Sequence, residues 1–364
     1  MSGEASGIEG REFVYEALPG RVVFGPGSAR RELAGAIEAL GARRLLLIAA
    51  TSEAELAEEL AAPLGERVVG RFDGVRPHVP VEVGAAAVEA ARAAGADAVL
   101  SVGGGSTTGT AKAVALATGL PIVAVPTTYA GSEMTPVWGS TEGGTKTTGR
   151  DLKVLPRLVV YDPELTVSLP AAITAASGMN ALAHSVEALY APGRNPVTTA
   201  IALESIAALA AALPAVVAAP EDVGARGEAL YGAYLAGSAF AVAGSGLHHK
   251  VCHALGGAFD LPHAETHSVV LPHVVAFQQP AAGVAMDRVA GALGTAPGGA
   301  AGALYDLAAG LGVPLSLAAI GMPADGVERV VEPIVAAVPA DNPRPVGADD
   351  VRAILAAAYA GERP

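Results

Sequence analysis

The chain has 364 residues, 51% of them apolar and 16% charged, which fits a compact protein with room for two cores and argues against disorder. Its 36 acidic residues outnumber 23 basic ones for a net charge of −13, which argues against nucleic acid or an anionic membrane as partner. Cys252 is the only cysteine, so no intrachain disulfide can form and a reducing, cytoplasmic setting is expected.

Residues 1–10 read as a mobile start, without the basic region and apolar run of a signal peptide. RRLLLIAA (43–50), ERVVGRF (66–72), ADAVLSV (96–102), LPIVAVP (120–126) and RLVVYDP (157–163) read as strands, mostly apolar throughout. Strands of that kind, separated by helices at 80–97 and 108–119, imply a parallel sheet covered on both faces. From Pro170 onward, Ala/Leu/Val segments with helical spacing are punctuated by Gly and Pro, and no strand is expected. The chain therefore divides into an α/β domain (1–168) and an all-α domain (169–364). Abundant alanine and glycine predict helices packed closely through small side chains. Apolar runs are broken before about 18 residues, too short to cross a bilayer as helices.

SVGGGSTTGTAK leaves a strand, passes through Gly103, Gly104 and Gly105, and enters a helix at Ser106 or Thr107. Such a junction serves either to bring backbone N–H groups against a diphosphate or simply to turn the chain. Thr127 and Thr128 end the strand at 120–126. Strand 43–50 ends at Ala50, Thr51 and Ser52, with Glu53 expected in the next helix. No acidic residue is then expected at the ribose of a dinucleotide, where one would disfavour NADP.

The stretch from His248 to His273 holds six of the eight histidines. On a helix, residues four apart share a face, which pairs His249 with His253 and Asn180 with His184. Imidazoles with a carboxylate commonly hold a divalent metal, but here an amide, Asn180, stands at the fourth place. The histidine half and the glycine half would enclose a site in the cleft between them.

Asn180-x3-His184 followed by His249-x3-His253-x9-His263 resembles the iron-containing (group III) alcohol dehydrogenases, as do GGGSTTGTAK (103–112), PTTYAGSEMT (126–135) and YDPELT (161–166). PTTYAGSEMTPVWG, TEGGTKTTGRD, GMNALAH and HHKVCHALGG are similar to the maleylacetate reductase branch of that family. The resemblance implies a dehydroquinate synthase-like architecture, with 1–168 as a Rossmann-like dinucleotide-binding domain and 169–364 as the catalytic and substrate domain, NADH or NADPH as cofactor, and a homodimer. It implies cofactor contacts at Gly103, Gly104, Gly105, Ser106, Thr107, Thr127 and Thr128, with Ser132 and Lys146 as further ones. Where the family usually carries an Asp in the helix after the glycines, this chain has Gly109, a departure shared with that branch.

The same resemblance implies maleylacetate, a dicarboxylic oxo-acid, as substrate. Its alkene is conjugated with a ketone, so hydride addition needs an enolate partner and a proton donor, roles for an imidazole. His253 and His249 are the expected catalytic residues. Asn180, His184, His263, Tyr129 and His248 form the expected substrate set, though Tyr129 and Trp138 could equally be packing aromatics. No metal is expected; if one binds, Asn180, His184, His249 and His263 are its ligands. His273 reads as structural at a helix end, His267 as rim or packing, and His78 as a cofactor contact or none. The rival readings are a metal-dependent alcohol dehydrogenase, a dehydroquinate synthase-like lyase and an inactive cofactor-binding scaffold.

Overall fold

The computed structural model describes residues 12–143 and 145–364, without the side chains of 145 and 146. The start at 1–10, expected to be mobile, lies outside the described residues. Eight strands occur in chain order: β1 (Arg21–Phe24), β2 (Leu45–Ile48), β3 (Val68–Phe72), β4 (Ala98–Gly103), β5 (Ile122–Pro126), β6 (Val137–Glu142), β7 (Thr145–Arg150) and β8 (Leu158–Tyr161). Six form one parallel sheet in the order β1-β8-β5-β4-β2-β3. The chain runs from β2 outward to β3, then crosses back to place β4 on the other side of β2. That reversal is a topological switch point, where α/β sheets bind ligands beyond their strand ends.

Each strand expected from the sequence is present. Strand β1 and the antiparallel β6–β7 hairpin were not expected. Both lack a buried apolar run: β1 is an edge strand with exposed ends, and the hairpin is mostly Thr, Ser, Gly and charge. Its turn passes through Gly143, whose φ of 54° lies in the left-handed region that glycine adopts without strain.

Helices α1 (Ser28–Arg31), α2 (Leu33–Leu40), α3 (Ala54–Ala61), α4 (Val81–Ala94) and α5 (Gly105–Thr118) connect the strands. Alternation along β2 sends Leu45 and Leu47 to one face, packed with Leu33 and Ile37 of α2. Leu46 and Ile48 face the other way, into a core that continues through α4 and α5 to Met179, Leu209 and Leu271 of the helical half.

From Pro170 the described residues form only helices: α6 (Ala171–Ala188), α7 (Pro196–Ala218), α8 (Val223–Ala243), α9 (Leu247–Phe259), α10 (His263–Gln278), α11 (Gly283–Ala292), α12 (Ala300–Gly310), α13 (Gly326–Ala337) and α14 (Ala348–Ala360). Small residues set their separation. A Cβ on Gly178 would lie 2.2 Å from Leu213, and one on Gly232 would lie 2.6 Å from Leu209, so α7 is seated directly on the backbones of α6 and α8. Helix α7 corrects one expectation: at 23 residues, with Glu204 its only charge, it is long and apolar enough to cross a membrane. Here it is a core helix, with Ala202, Ile206, Leu209 and Leu213 fully buried along one stripe. Between α8 and α9 the chain turns by 100°.

Candidate active site

One wall of the site is backbone. Gly103 has a φ of 145°, and a Cβ there would meet Thr107 Oγ1 at 2.6 Å; one on Gly104 would meet Thr128 Cγ2 at 2.9 Å. Only glycine lets β4 turn this tightly into α5, which begins at Gly105 with no side-chain cap on its first N–H groups. That bare helix start suits a diphosphate. Below it, Lys112 is fully buried and donates to Ser132 O (2.7 Å), Thr135 O (2.9 Å) and Val137 O (2.6 Å), tying the loop after β5 and the hairpin base to α5. Burial pushes its amine down to about 7, opposed by the nearby Glu133.

The facing wall is made of side chains. Helix α6 places Asn180, His184 and Glu187 along one face, α9 places His249 and His253, and α10 begins at His263. The His184 and His249 rings stack at 5.1 Å, with Phe240 against both at 4.8 and 4.5 Å. Rings 249 and 253 lie 5.8 Å apart, and rings 253 and 263 lie 6.5 Å apart. Burial, then the neighbouring His249, pushes His184 down to about 3, so it is a neutral ring. Glu187, wholly buried, accepts from the His249 backbone N–H (3.2 Å) and pairs with its Nδ1. A carboxylate accepts, so Nδ1 carries the hydrogen of this bond, which fixes the orientation of the ring.

Between the walls lies a cleft of ≈ 710 Å³ reaching from Gly105 and Ser106 to Asn180, His184, His249, His253 and His263. His253 and His263 also line a smaller cavity of ≈ 310 Å³ beside it, together with His78 and Asp260. His78 belongs to the cleft as well; its Nε2 stands 3.6 Å from Asp260, and both residues have positive φ. Among the described residues, no Asp or Glu lines the cleft.

The donors fit a divalent ion in kind. Asn180 Oδ1 is buried without a hydrogen-bond partner, and the Glu187–His249 pairing is the arrangement that orients metal-bound imidazoles. In charge the set is one negative unit short, because the amide is neutral. Among the described residues, the one tight three-donor group is a different set, His248, Cys252 and His267, within 4.8 Å of one another.

A sequence model for iron-containing alcohol dehydrogenases matches residues 19–163, and one for the C-terminal part of the Fe-containing alcohol dehydrogenase family matches 174–359. A maleylacetate reductase of Sphingobium indicum is 51% identical over 353 residues, 97% of this chain and 99% of that protein. The chain belongs to the iron-containing alcohol dehydrogenase family, in its maleylacetate reductase branch. Crystal structures of the maleylacetate reductases from Agrobacterium tumefaciens and Rhizobium sp. strain MTP-10005 each give a TM-score of 0.91 at 48% identity. They cover 97% of this chain and 99% and 100% of theirs.

Within this family frame, several expected residues lie elsewhere than at the cleft. Tyr129 is fully buried behind it, its hydroxyl donating to Thr166 Oγ1 (3.2 Å), so it packs and does not wall the substrate. Trp138 does line the cleft. His248 turns away too: its Nε2 lies 2.9 Å from His267 Nδ1 and 3.7 Å from Cys252 Sγ, and it is fully buried. The reason is helical: residues 248 and 249 point about 100° apart, so only one can face the cleft. Burial pushes His248 to about 3, His267 well below its ordinary range and His273 to about 4. His273 sits inside α10, not at its end.

Gly103, Gly104, Thr107 and Thr127 shape the loop from beneath, whereas Gly105, Ser106, Thr128 and Ser132 line the cleft itself. The side chain of Lys146 lies outside the described residues. Glu53 ends a short turn (Thr51–Glu53) ahead of α3 and accepts from Thr127 Oγ1 (3.1 Å). An acidic group therefore does stand beyond the strand ends beside the glycine loop, contrary to expectation. Glu187 is the residue that sequence reasoning missed. Its signal was available: three residues after His184, it is the one Asp, Glu, Lys or Arg of α6.

Proposed function

We propose that this chain reduces the carbon–carbon double bond of maleylacetate to give 3-oxoadipate, as a step in the breakdown of aromatic compounds. The observation that carries the reading is the cleft's charge. In a chain with 36 Asp and Glu, none lines the cleft among the described residues, whereas five histidines, two lysines and an arginine do. Both places where the resemblance implies a family carboxylate, now Gly109 and Asn180, face this one space. Removing both suits a dianionic substrate beside a diphosphate-bearing cofactor.

NADH or NADPH, when bound, supplies the hydride. The bare start of α5 would hold its diphosphate, and Ser106, Thr128 and Ser132 lie along the same wall. The alkene carbon β to the ketone takes the hydride, and the electron pair moves onto the ketone oxygen as an enolate. His249, oriented by Glu187, faces that oxygen. His253 delivers a proton to the carbon between, which completes the saturated oxo-acid. His184 and Asn180 supply a dry polar surface for the substrate. A divalent ion, were one bound, would sit on Asn180, His184, His249 and His263 and would polarise the ketone. An enone already activated by its own ketone does not need that, so catalysis is expected without metal.

The test is NADH oxidation with maleylacetate, before and after dialysis against a chelator, with elemental analysis. Activity that persists without metal supports the reading; activity lost with the metal and restored by iron or zinc defeats its metal-free part. No oxidation of NADH at all defeats the substrate assignment. Asn180→Asp should raise metal retention and weaken oxo-acid reduction. The same reading takes the enzyme as a cytoplasmic homodimer that binds cofactor through 1–168 and substrate through 169–364. Light scattering should then give twice the mass of one chain.

A further inference from the structure

We propose that Arg150 and Lys250 form the subsite for the carboxylate on the saturated arm of the substrate, and so set the preference for dicarboxylates. The inference rests on the reading above. Three cations line the cleft among the described residues, and one is spent: Lys112 is saturated by backbone and hydroxyl oxygens. Elsewhere Arg30, Arg71, Arg76, Arg92, Arg352 and Arg363 each stand within 3 Å of a carboxylate. Among the described residues no such ion pair occupies Arg150 or Lys250.

Their placement fits one end of a short dianion. Arg150 closes β7, and its Nη1 donates to Ala241 O (2.6 Å) in the last turn of α8, at the corner where the chain bends into α9. One bond to a carbonyl fixes the guanidinium and leaves its other N–H groups for an anion. Trp138 lies over Gly149 so closely that a Cβ there would touch its ring at 2.5 Å, which stiffens the hairpin beside Arg150. Lys250 lies in the first turn of α9, one residue after His249 and three before His253. At that spacing Lys250 and His253 are neighbours on the helix surface. The hydride would come from the nicotinamide end of a cofactor laid along the sheet wall, so the carbon that takes it must face that wall. The conjugated end of the substrate therefore points toward the sheet, and the saturated arm toward the α8–α9 corner.

The experiment compares Arg150→Gln and Lys250→Gln with wild type on maleylacetate and on 4-oxopent-2-enoate, which keeps the enone but lacks the second carboxylate. A lost charge-assisted hydrogen bond should raise KM for maleylacetate roughly 10- to 100-fold, leave KM for NADH within about twofold, and barely alter KM for 4-oxopent-2-enoate. Equal weakening toward both substrates would show a merely structural role and overturn the subsite. A rise in KM for NADH or NADPH instead would show that these cations hold a cofactor phosphate, which also overturns it. If wild type fails to oxidise NADH with maleylacetate, the reading fails separately. Calorimetric binding of adipate to the NAD-loaded protein then decides: a roughly tenfold loss in Lys250→Gln keeps the subsite, and unchanged or absent binding ends it.

Discussion

The two walls of the cleft solve the problem of holding a ligand in opposite ways. The sheet wall owes its shape to positions that lack side chains: Gly103 and Gly104 let β4 turn into α5, Gly105 brings backbone against the cleft, and Gly109 leaves no room for more, since a Cβ there would meet Val79 at 2.7 Å. The helical wall is built from side chains that converge from α6, α9 and α10, with His184 held by burial and His249 by its bond to Glu187. A backbone wall works locally and tolerates little change in conformation. A side-chain wall depends on the packing of three helices far apart in sequence, and its chemistry can change by single substitutions, as Asn180 illustrates.

That division can be broken by substitutions that should act on one wall only. The largest effect is expected from His253→Ala: kcat falls by roughly 10²–10⁴ while cofactor KM stays nearly constant. A variant that keeps more than half of wild-type turnover would shift the proton donor to His249. Gly103→Ala should do the converse. Its φ of 145° and the 2.6 Å approach to Thr107 force the loop to move, so cofactor KM should rise roughly tenfold or more while the pH profile of kcat stays put. A shifted profile would mean the walls are coupled.

The third effect concerns stability. His184 and His248 are held near 3 by burial, against an ordinary value of 6.5. The unfolded chain therefore takes up protons below pH 6.5 that the folded one refuses, and stability is full above 6.5 and falls as pH drops toward 3. The slope should reach up to about 1.4 kcal/mol per pH unit for each ring that stays neutral. Urea midpoints measured from pH 7 to 4 check this, and a flat series would contradict it. The smallest effect is cofactor choice. With Glu53 beside the glycine loop, NADH is expected to be preferred over NADPH, and Glu53→Gln should move the ratio of kcat/KM a few-fold toward NADPH by removing that charge. An unchanged ratio in Glu53→Gln would sink that expectation.

The sheet was legible because strands buried on both faces are written as unbroken apolar runs, as in Leu45–Ile48 and Ile122–Pro126. The hairpin was not, because it buries no side-chain row and so carries no alternation, although it brings Trp138 and Arg150 to the cleft. The histidine wall was legible as an inventory, through the four-residue spacing on α9. Which ring of the pair 248 and 249 faces the cleft depends on how α9 is rotated, which spacing alone leaves open. Glu53 was misplaced because a short 3₁₀ turn delays the start of α3 by three residues. Tyr129 was misplaced because its hydroxyl finds Thr166 inside the protein, so an aromatic next to a cofactor strand turns inward.

The core that runs without interruption from Leu46 and Ile48 through α5 to Met179 and Leu209 bears on how such enzymes can be recombined. A hybrid joined near residue 169, pairing one relative's α/β half with another's helical half, would cut across interlocked side chains instead of a wetted seam. Productive chimeras should therefore exchange the β6–β7 hairpin, which brings Trp138 and Arg150 to the cleft while burying little of the shared interior.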